Sequence, residues 1–401
     1  MRDVSRRVLT AVPTESRLGP RWRFVLAVWL VSRVFFLVTG ALGHAYLTPA
    51  MPGGSPGPPG GILHYWATWD GGWYTAIAKQ GYFSPPSTSF FPLYPIVLWL
   101  GTLIAGGPAV WGVTISVAAL LPTLYFLYRL AEDLFDESTA RAATLALAFF
   151  PSAFFLNAVY TESLFLMLTT GTVWALRIRR DLLLAAVFAY FAMATRNVGV
   201  FLLIPLAWHW FRRRRELGLA GALALVISPA GLVAFMFYLQ RVLGDPLYFA
   251  VAQRETWGRT LTDPIKTLHK AWTTGVYGAR YAFHPHAIFG NVGVEPAFKA
   301  SDTFNLILFG LLVVLVVVGA FRLPFDLWLY SVLVMLVPLL TPSGLWALTS
   351  FNRYMLAPFP LFIVLGRILR RSPFLLIPWL EASAALGVYL TLLFTTWRWV
   401  A

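Results

Sequence analysis

The chain has 401 residues, of which 58% are hydrophobic, 16% aromatic and only 12% charged. The charged share is about half that of soluble domains, which excludes an ordinary soluble enzyme, a disordered chain and a secreted scaffold; the absence of cysteine excludes disulfides and thiolate chemistry. A net charge of +14 would suggest nucleic acid in a soluble protein, but the 27 Arg and 4 Lys gather at the ends of apolar runs, as in proteins oriented across a membrane, so no nucleic-acid partner is expected.

In chain order, a basic flank (Arg2, Arg6, Arg7, Arg17, Arg21, Arg23) precedes an apolar run over 22–43. The run is too long for a signal-peptide core and reads as a retained first span, with residues 1–21 as a cytoplasmic basic N-terminus. Residues 45–89 form a first external loop with a Pro/Gly-rich tract from Pro49 to Gly61. Apolar stretches follow at 90–105, 109–130, 141–178, 182–211 and 217–242, and at 301–321, 324–342, 352–369 and 374–397. A second external loop covers 243–300.

A helical crossing needs about 20 apolar residues, so 141–178 and 182–211 must each fold back. The first breaks at Pro151 and the second near Arg196-Asn197, on the external side. The clusters Arg177/Arg179/Arg180, Arg212 to Arg215 and Arg367/Arg370/Arg371 belong on the cytoplasmic side. For the 132–141 turn to share that side, one of 90–105 and 109–130 must not cross. The shorter, with Pro92 and Pro95 near its start, is expected to lie along the external face or to be re-entrant. The prediction is an all-α polytopic membrane protein of about 10–11 spans. It divides into the N-terminus, a transmembrane module over 22–242 with the first loop, the second loop, and C-terminal helices over 301–401.

With only 17 acidic residues, each can be weighed. Between Glu15 and Glu132 the one carboxylate is Asp70, set among Tyr65, Trp66, Trp69, Trp73 and Tyr74, with no evident cationic partner nearby. Burial beside apolar rings favours acid or base work. The aromatic residues suit sugar stacking or, equally, an interfacial belt. Glu162 lies inside an apolar run just after the break at Pro151, where it is either functional or a helix-start acid. Arg196 lies mid-run, suited to a bidentate phosphate grip or to pairing with Glu162. Arg353 opens a span from the external side against the orientation rule, as an anion ligand or a snorkelling side chain. His284 and His286 in the second loop are candidate loop contacts. No HExxH motif, carboxylate cluster or Gly-rich phosphate loop appears, so neither a metal nor a cofactor is expected.

The pattern W-D-x-x-W-Y-x-x-I-A-x-x-G-Y, from Trp69-Asp70 to Gly81-Tyr82, resembles the PIG-V family of polytopic mannosyltransferases. Three further stretches are similar in the same order: Phe91-Pro92-Leu93-Tyr94-Pro95, Tyr160-Thr161-Glu162-Ser163-Leu164-Phe165 and Thr195-Arg196-Asn197-Val198-Gly199. Arg353-Tyr354 with Phe359-Pro360-Leu361 is a looser likeness. The resemblance implies a GT-C-like bundle with juxtamembrane helices in the first loop. It implies an inverting enzyme, without metal, that moves a hexose, mannose in that family, from a polyprenyl-phosphate sugar to a lipid-linked or glycan acceptor. Asp70 would be the catalytic base. Arg196 and Arg353 would hold the donor phosphate. Trp69, Trp73, Tyr74, Tyr94, Tyr160, Glu162, Asn197 and Tyr354 would bind substrate. The active site would face outward, in bacteria across the plasma membrane. The family's paired-acid cousins carry two carboxylates in this loop, where this chain has Asp70 followed by Gly71-Gly72. The competing readings are a lipid or glycolipid flippase and a non-catalytic subunit of a glycosyltransferase complex. External clustering of the lone charges argues against the first, and retention of Asp70 in its motif against the second.

Overall fold

The computed structural model describes residues 19–50, 61–282, 295–344 and 346–400, and no strand occurs among them. Five helical stretches of 22 to 27 residues are long and apolar enough to cross a bilayer: Pro20–Tyr46 (α1), Pro108–Leu134 (α4), Gly221–Leu243 (within α9, Arg214–Ile227, and α10, Ala230–Leu243), Lys299–Ala320 (within α13, Glu295–Ala320) and Pro373–Thr395 (α17). At 1.5 Å per residue each exceeds the hydrocarbon thickness of about 30 Å. The chain is an integral membrane protein. Shorter apolar helices accompany these stretches, so five candidate spans stand where the sequence suggests about 10–11.

The breaks fall where the sequence places them. Run 141–178 resolves into α5 (Glu137–Ala148), a short helical turn Ala153–Leu156 and α6 (Glu162–Trp174). Run 182–211 resolves into α7 (Leu182–Thr195), a turn Asn197–Leu202 and α8 (Leu203–Arg212). Irregular backbone at membrane depth survives only when protein buries it, and residues 150–161 are buried throughout. One side chain, not singled out from the sequence, pins this break. Arg33 of α1 is 2% exposed and donates to the Ala148 carbonyl at 2.9 Å, to the Ala153 carbonyl at 3.1 Å and to the Asn157 side-chain oxygen. It thereby satisfies carbonyls that the interruption leaves without helical donors.

The first loop contributes α2 (Asp70–Gln80) and α3 (Leu93–Thr102). Ten residues make α3 about 15 Å long, shorter than a bilayer core. The second loop contributes α11 (Tyr248–Trp257) and α12 (Pro264–Gly278), the latter packed on α13. The C-terminal part adds α14 (Phe325–Leu340), α15 (Phe351–Tyr354) and α16 (Pro360–Leu369). At the centre, α4 packs against α5 and α6, α6 against α7, α5 against α16, and α1 against α17.

One end of the bundle is tied by ion pairs between residues distant in sequence. Arg21 meets Glu132 at 2.9 Å, Arg177 meets Asp326 at 2.8 Å, and Arg367 meets Asp136 at 2.6 Å. Asp136 also caps α5, accepting from the Thr139 amide at 2.8 Å. What burial it has opposes its ionisation, but Ser138, Thr139 and Arg370 outweigh that and hold its carboxyl well below the usual range. These are the segments the orientation rule assigns to one side. Helices α6, α7 and α14 run from this end to the other, where the lone charges gather.

Candidate functional site

Two local features aim Asp70. It is the first residue of α2, where the helix dipole favours a carboxylate. The preceding Trp69 has φ +52°, a conformation that side chains other than glycine rarely adopt and that costs roughly 1–3 kcal/mol. Its ring is held against Trp397 and Trp399, with centroids at 5.9 and 4.8 Å. Gly71 follows because a Cβ there would stand 3.3 Å from the Val159 carbonyl oxygen, so α2 sits directly on the buried break before α6. Tyr160 fixes the turn: its hydroxyl accepts from the Asp70 amide and donates to the Thr68 carbonyl, both at 3.2 Å.

Glu162 and Arg196 occupy complementary helix ends. Glu162 is the first residue of α6, and Arg196 follows the last residue of α7. Each charge sits at its favoured pole, and the two meet at 2.9 Å. Gly199 makes this possible. A Cβ at that position would lie 2.8 Å from the Ala192 carbonyl oxygen, so only glycine lets the turn after Arg196 fold back on α7.

Asp70 has a partner after all. The expectation that it stands without a neutralising cation is corrected by Arg353, whose Nη1 donates to Asp70 Oδ2 at 2.5 Å across 283 residues of sequence. A sequence window around Asp70 contains no such residue, which is why local reading misses it. Arg353 contacts one carboxylate oxygen and leaves Oδ1 without a recorded partner.

These four charges line one cavity of about 260 Å³, together with Tyr74, Asn197, Tyr354 and residues not foreseen: Thr161, Thr195, Gln253, Arg259 and Thr341. Arg259 comes from the link between α11 and α12 and donates to the Thr341 carbonyl and the Tyr354 hydroxyl, both at 3.1 Å. Nothing local in the sequence sets it apart from Arg254, Lys266, Lys270 and Arg280 of the same loop. Two buried atoms at the site, Glu162 Oε2 and Arg353 Nε, have no hydrogen-bond partner. Such groups cost about 1–3 kcal/mol each and call for an explanation, which a polar ligand supplies.

Other expected contacts lie elsewhere. Trp73 stacks between Phe83 and Phe90, with centroids at 5.8 and 5.7 Å, rather than lining the cavity. Trp69 packs on the C-terminal tryptophans. Tyr94 is fully buried, its hydroxyl bonded to the Gly112 carbonyl at 3.2 Å. Tyr160 positions the Asp70 turn. None of these four lines that cavity, although Trp69 and Tyr160 border a smaller one together with Asp70 and Arg353. His284 and His286 lie outside the described residues. Among the described residues no group of histidines and acids is arranged to hold a metal.

An apolar groove of about 590 Å³ runs beside the cavity between α2, α3, α7 and α10, lined by residues including Tyr82, Pro92, Trp99, Ala194 and Phe235. Consecutive residues connect the two: Phe91 lines the cavity and Pro92 the groove, and Ala194 lines the groove while Thr195 lines the cavity.

No curated protein matches the chain. Among solved structures it is similar to the oligosaccharyltransferase of Archaeoglobus fulgidus in complex with zinc and sulfate, at 13% identity and a TM-score of 0.47, over 92% of this chain and 53% of that one. It is similar also to archaeal oligosaccharyltransferase AglB of that organism in complex with an inhibitory peptide and a dolichol-phosphate, at 14% identity and a TM-score of 0.47, over 94% and 56%. The chain thus spans just over half the length of these proteins. From residue 60 to residue 211, the stretch that holds Asp70, Glu162 and Arg196, the chain matches the family model Mannosyltransferase (PIG-V).

Proposed function

We propose that the protein is an inverting glycosyltransferase that moves a hexose, mannose by its family likeness, from a polyprenyl-phosphate carrier to a lipid-linked or glycan acceptor on the external side of the membrane. The observation that carries this reading is the convergence of Asp70, Glu162, Arg196 and Arg353 on one cavity at the end of the bundle opposite the basic clusters. Asp70 Oδ1 takes the proton of the acceptor hydroxyl. The hydroxyl oxygen attacks the anomeric carbon on the face opposite the phosphate, and the sugar–phosphate bond breaks with its electron pair going to the phosphate oxygen. General-base assistance of this kind is worth roughly 10²–10⁴-fold. Arg353 holds Asp70 in position through Oδ2. Glu162 Oε2 accepts from a sugar hydroxyl, while Arg196 holds that carboxylate in place through Oε1. The adjoining groove suits the isoprenoid tail, since a lipid carrier needs an apolar path leading straight to the reacting phosphate.

The test uses the purified protein in detergent with a panel of polyprenyl-phosphate sugars, reading products by mass and linkage. Wild type is expected to transfer the hexose, and Asp70→Asn to lose transfer by roughly 10²–10⁴-fold while the variant still folds and still binds the donor. Full activity in Asp70→Asn removes that residue from the base role. Translocation of a lipid in vesicles without any transfer in detergent replaces the enzyme by a flippase.

A further inference from the structure

The cavity wall carries three guanidinium groups and two carboxylates. Two of the cations are balanced in charge, Arg353 by Asp70 and Arg196 by Glu162, although Arg353 Nε keeps one buried donor unpaired. Arg259 is different. Its two recorded partners, the Thr341 carbonyl and the Tyr354 hydroxyl, are neutral, and among the described residues no carboxylate reaches it. The wall therefore has a formal charge of +1, from three arginines less two acids.

Tyr354 holds this arrangement together. The guanidinium carbons of Arg353, Arg196 and Arg259 lie 5.1, 5.4 and 5.7 Å from its ring centre. Its hydroxyl accepts from Arg259 at 3.1 Å and, more loosely, from Arg353 at 3.5 Å, so its own hydrogen is left to donate elsewhere. Three cations around one neutral ring repel one another, and two anions offset only two of them. A partly buried guanidinium held by neutral acceptors is the arrangement that an incoming anion completes.

We infer that Arg259, braced by Tyr354, is the seat of the donor's phosphate, and that Arg196 and Arg353 stay with their carboxylates instead of gripping it. The identity of the donor rests on the function proposed above; the anion seat rests on the charge arrangement alone. The charges match step by step. A sugar–phosphate diester carries one negative charge, which cancels the +1 of the wall. When the anomeric C–O bond breaks, the leaving polyprenyl phosphate becomes a monoester with a charge nearer −2. The proton delivered to Asp70 at the same time removes one negative charge from the wall, so its net charge rises to +2 as the phosphate's charge grows. Fixed positive charge where negative charge develops accelerates the step. Arg259 lies outside residues 60–211, so the family motif does not mark it.

The experiment measures binding of a polyprenyl monophosphate and of the unphosphorylated polyprenol of equal length to the full-length protein in detergent. Wild type is expected to prefer the phosphate. Arg259→Gln should cut that preference by roughly ten- to a hundred-fold, the worth of a charge-assisted hydrogen bond, with Arg259→Lys retaining part of it and polyprenol binding unchanged. Unchanged polyprenol binding also shows that the variant is folded. A phosphate preference that survives Arg259→Gln and vanishes in Arg353→Gln or Arg196→Gln overturns the inference and leaves the glycosyltransferase reading intact. No phosphate preference in wild type overturns it too. A preference that depends on Arg259 in a protein that transfers no sugar keeps the anion seat and removes the proposed function.

Discussion

The pair Glu162–Arg196 offers the sharpest separation of structure from chemistry, because its side chains are 2% and 15% exposed and meet at 2.9 Å. With charge centres about 4 Å apart and an effective dielectric constant near 20, the attraction is of order 4 kcal/mol. Arg196→Gln strands a carboxylate that already has one unpartnered oxygen, and breaking a buried pair from one side typically costs about 3–5 kcal/mol. The loss includes the cation's contacts with the rings of Phe165 and Tyr354, at 5.5 and 5.4 Å, each worth about 0.5–1 kcal/mol. Glu162→Gln leaves Arg196 near a polar amide and costs less. The double variant Glu162→Gln/Arg196→Gln removes both charges, so it should be more stable than the sum of the single losses by about 2–4 kcal/mol. Reversible unfolding in mixed micelles measures this cycle, and the same four proteins give polyprenyl-phosphate affinity. Additive stabilities refute the pairing. Loss of phosphate affinity in the double variant refutes its confinement to positioning and returns Arg196 to the phosphate.

Arg33→Met should destabilise the protein by about 3–5 kcal/mol, since it leaves the Ala148 and Ala153 carbonyls and the Asn157 side chain without their donor; a melting temperature within a degree of wild type refutes the clamp. At the opposite end, the depressed carboxyl of Asp136 stabilises the fold above the unfolded-state value near 4 and loses that contribution as pH falls through its lower folded value. The melting difference between wild type and Asp136→Asn should therefore shrink steadily as pH is lowered from about 5 towards 2, and a difference constant over that range contradicts the assignment.

The fold was legible where the sequence states a physical constraint outright. Pro151 lacks an amide donor, and Arg196 cannot sit in a lipid-facing helix, so both mark breaks without reference to any partner. The charges Asp70, Glu162, Arg196 and Arg353 were legible because ionised groups are rare in this chain and costly in a membrane. Their pairing was half legible: 34 residues and one helical hairpin separate Glu162 from Arg196, and fold-back at the two breaks brings them together. Asp70 and Arg353 are joined by the packing of the whole bundle, which no local pattern encodes. The aromatic residues misled for a related reason. Trp69, Trp73, Tyr94 and Tyr160 have surfaces equally suited to sugars and to one another, and in a protein with 16% aromatic residues they found one another.

The same physics accounts for the pairing of the proposed site's charges. A carboxylate in a partly buried wall carries a desolvation cost that a paired cation offsets. Arg353 binds Asp70 through Oδ2 and, on the function proposed, leaves Oδ1 to the acceptor. Arg196 binds Glu162 through Oε1, and the same proposal gives Oε2 to the sugar. Each arginine thus holds one oxygen of its carboxylate, and the ion pairs balance every charge of the wall except Arg259. An active site in a bilayer must carry enough charge for chemistry without carrying so much that it cannot be buried. Two pairs and one extra cation meet both demands, and the extra cation marks where the substrate's own charge belongs.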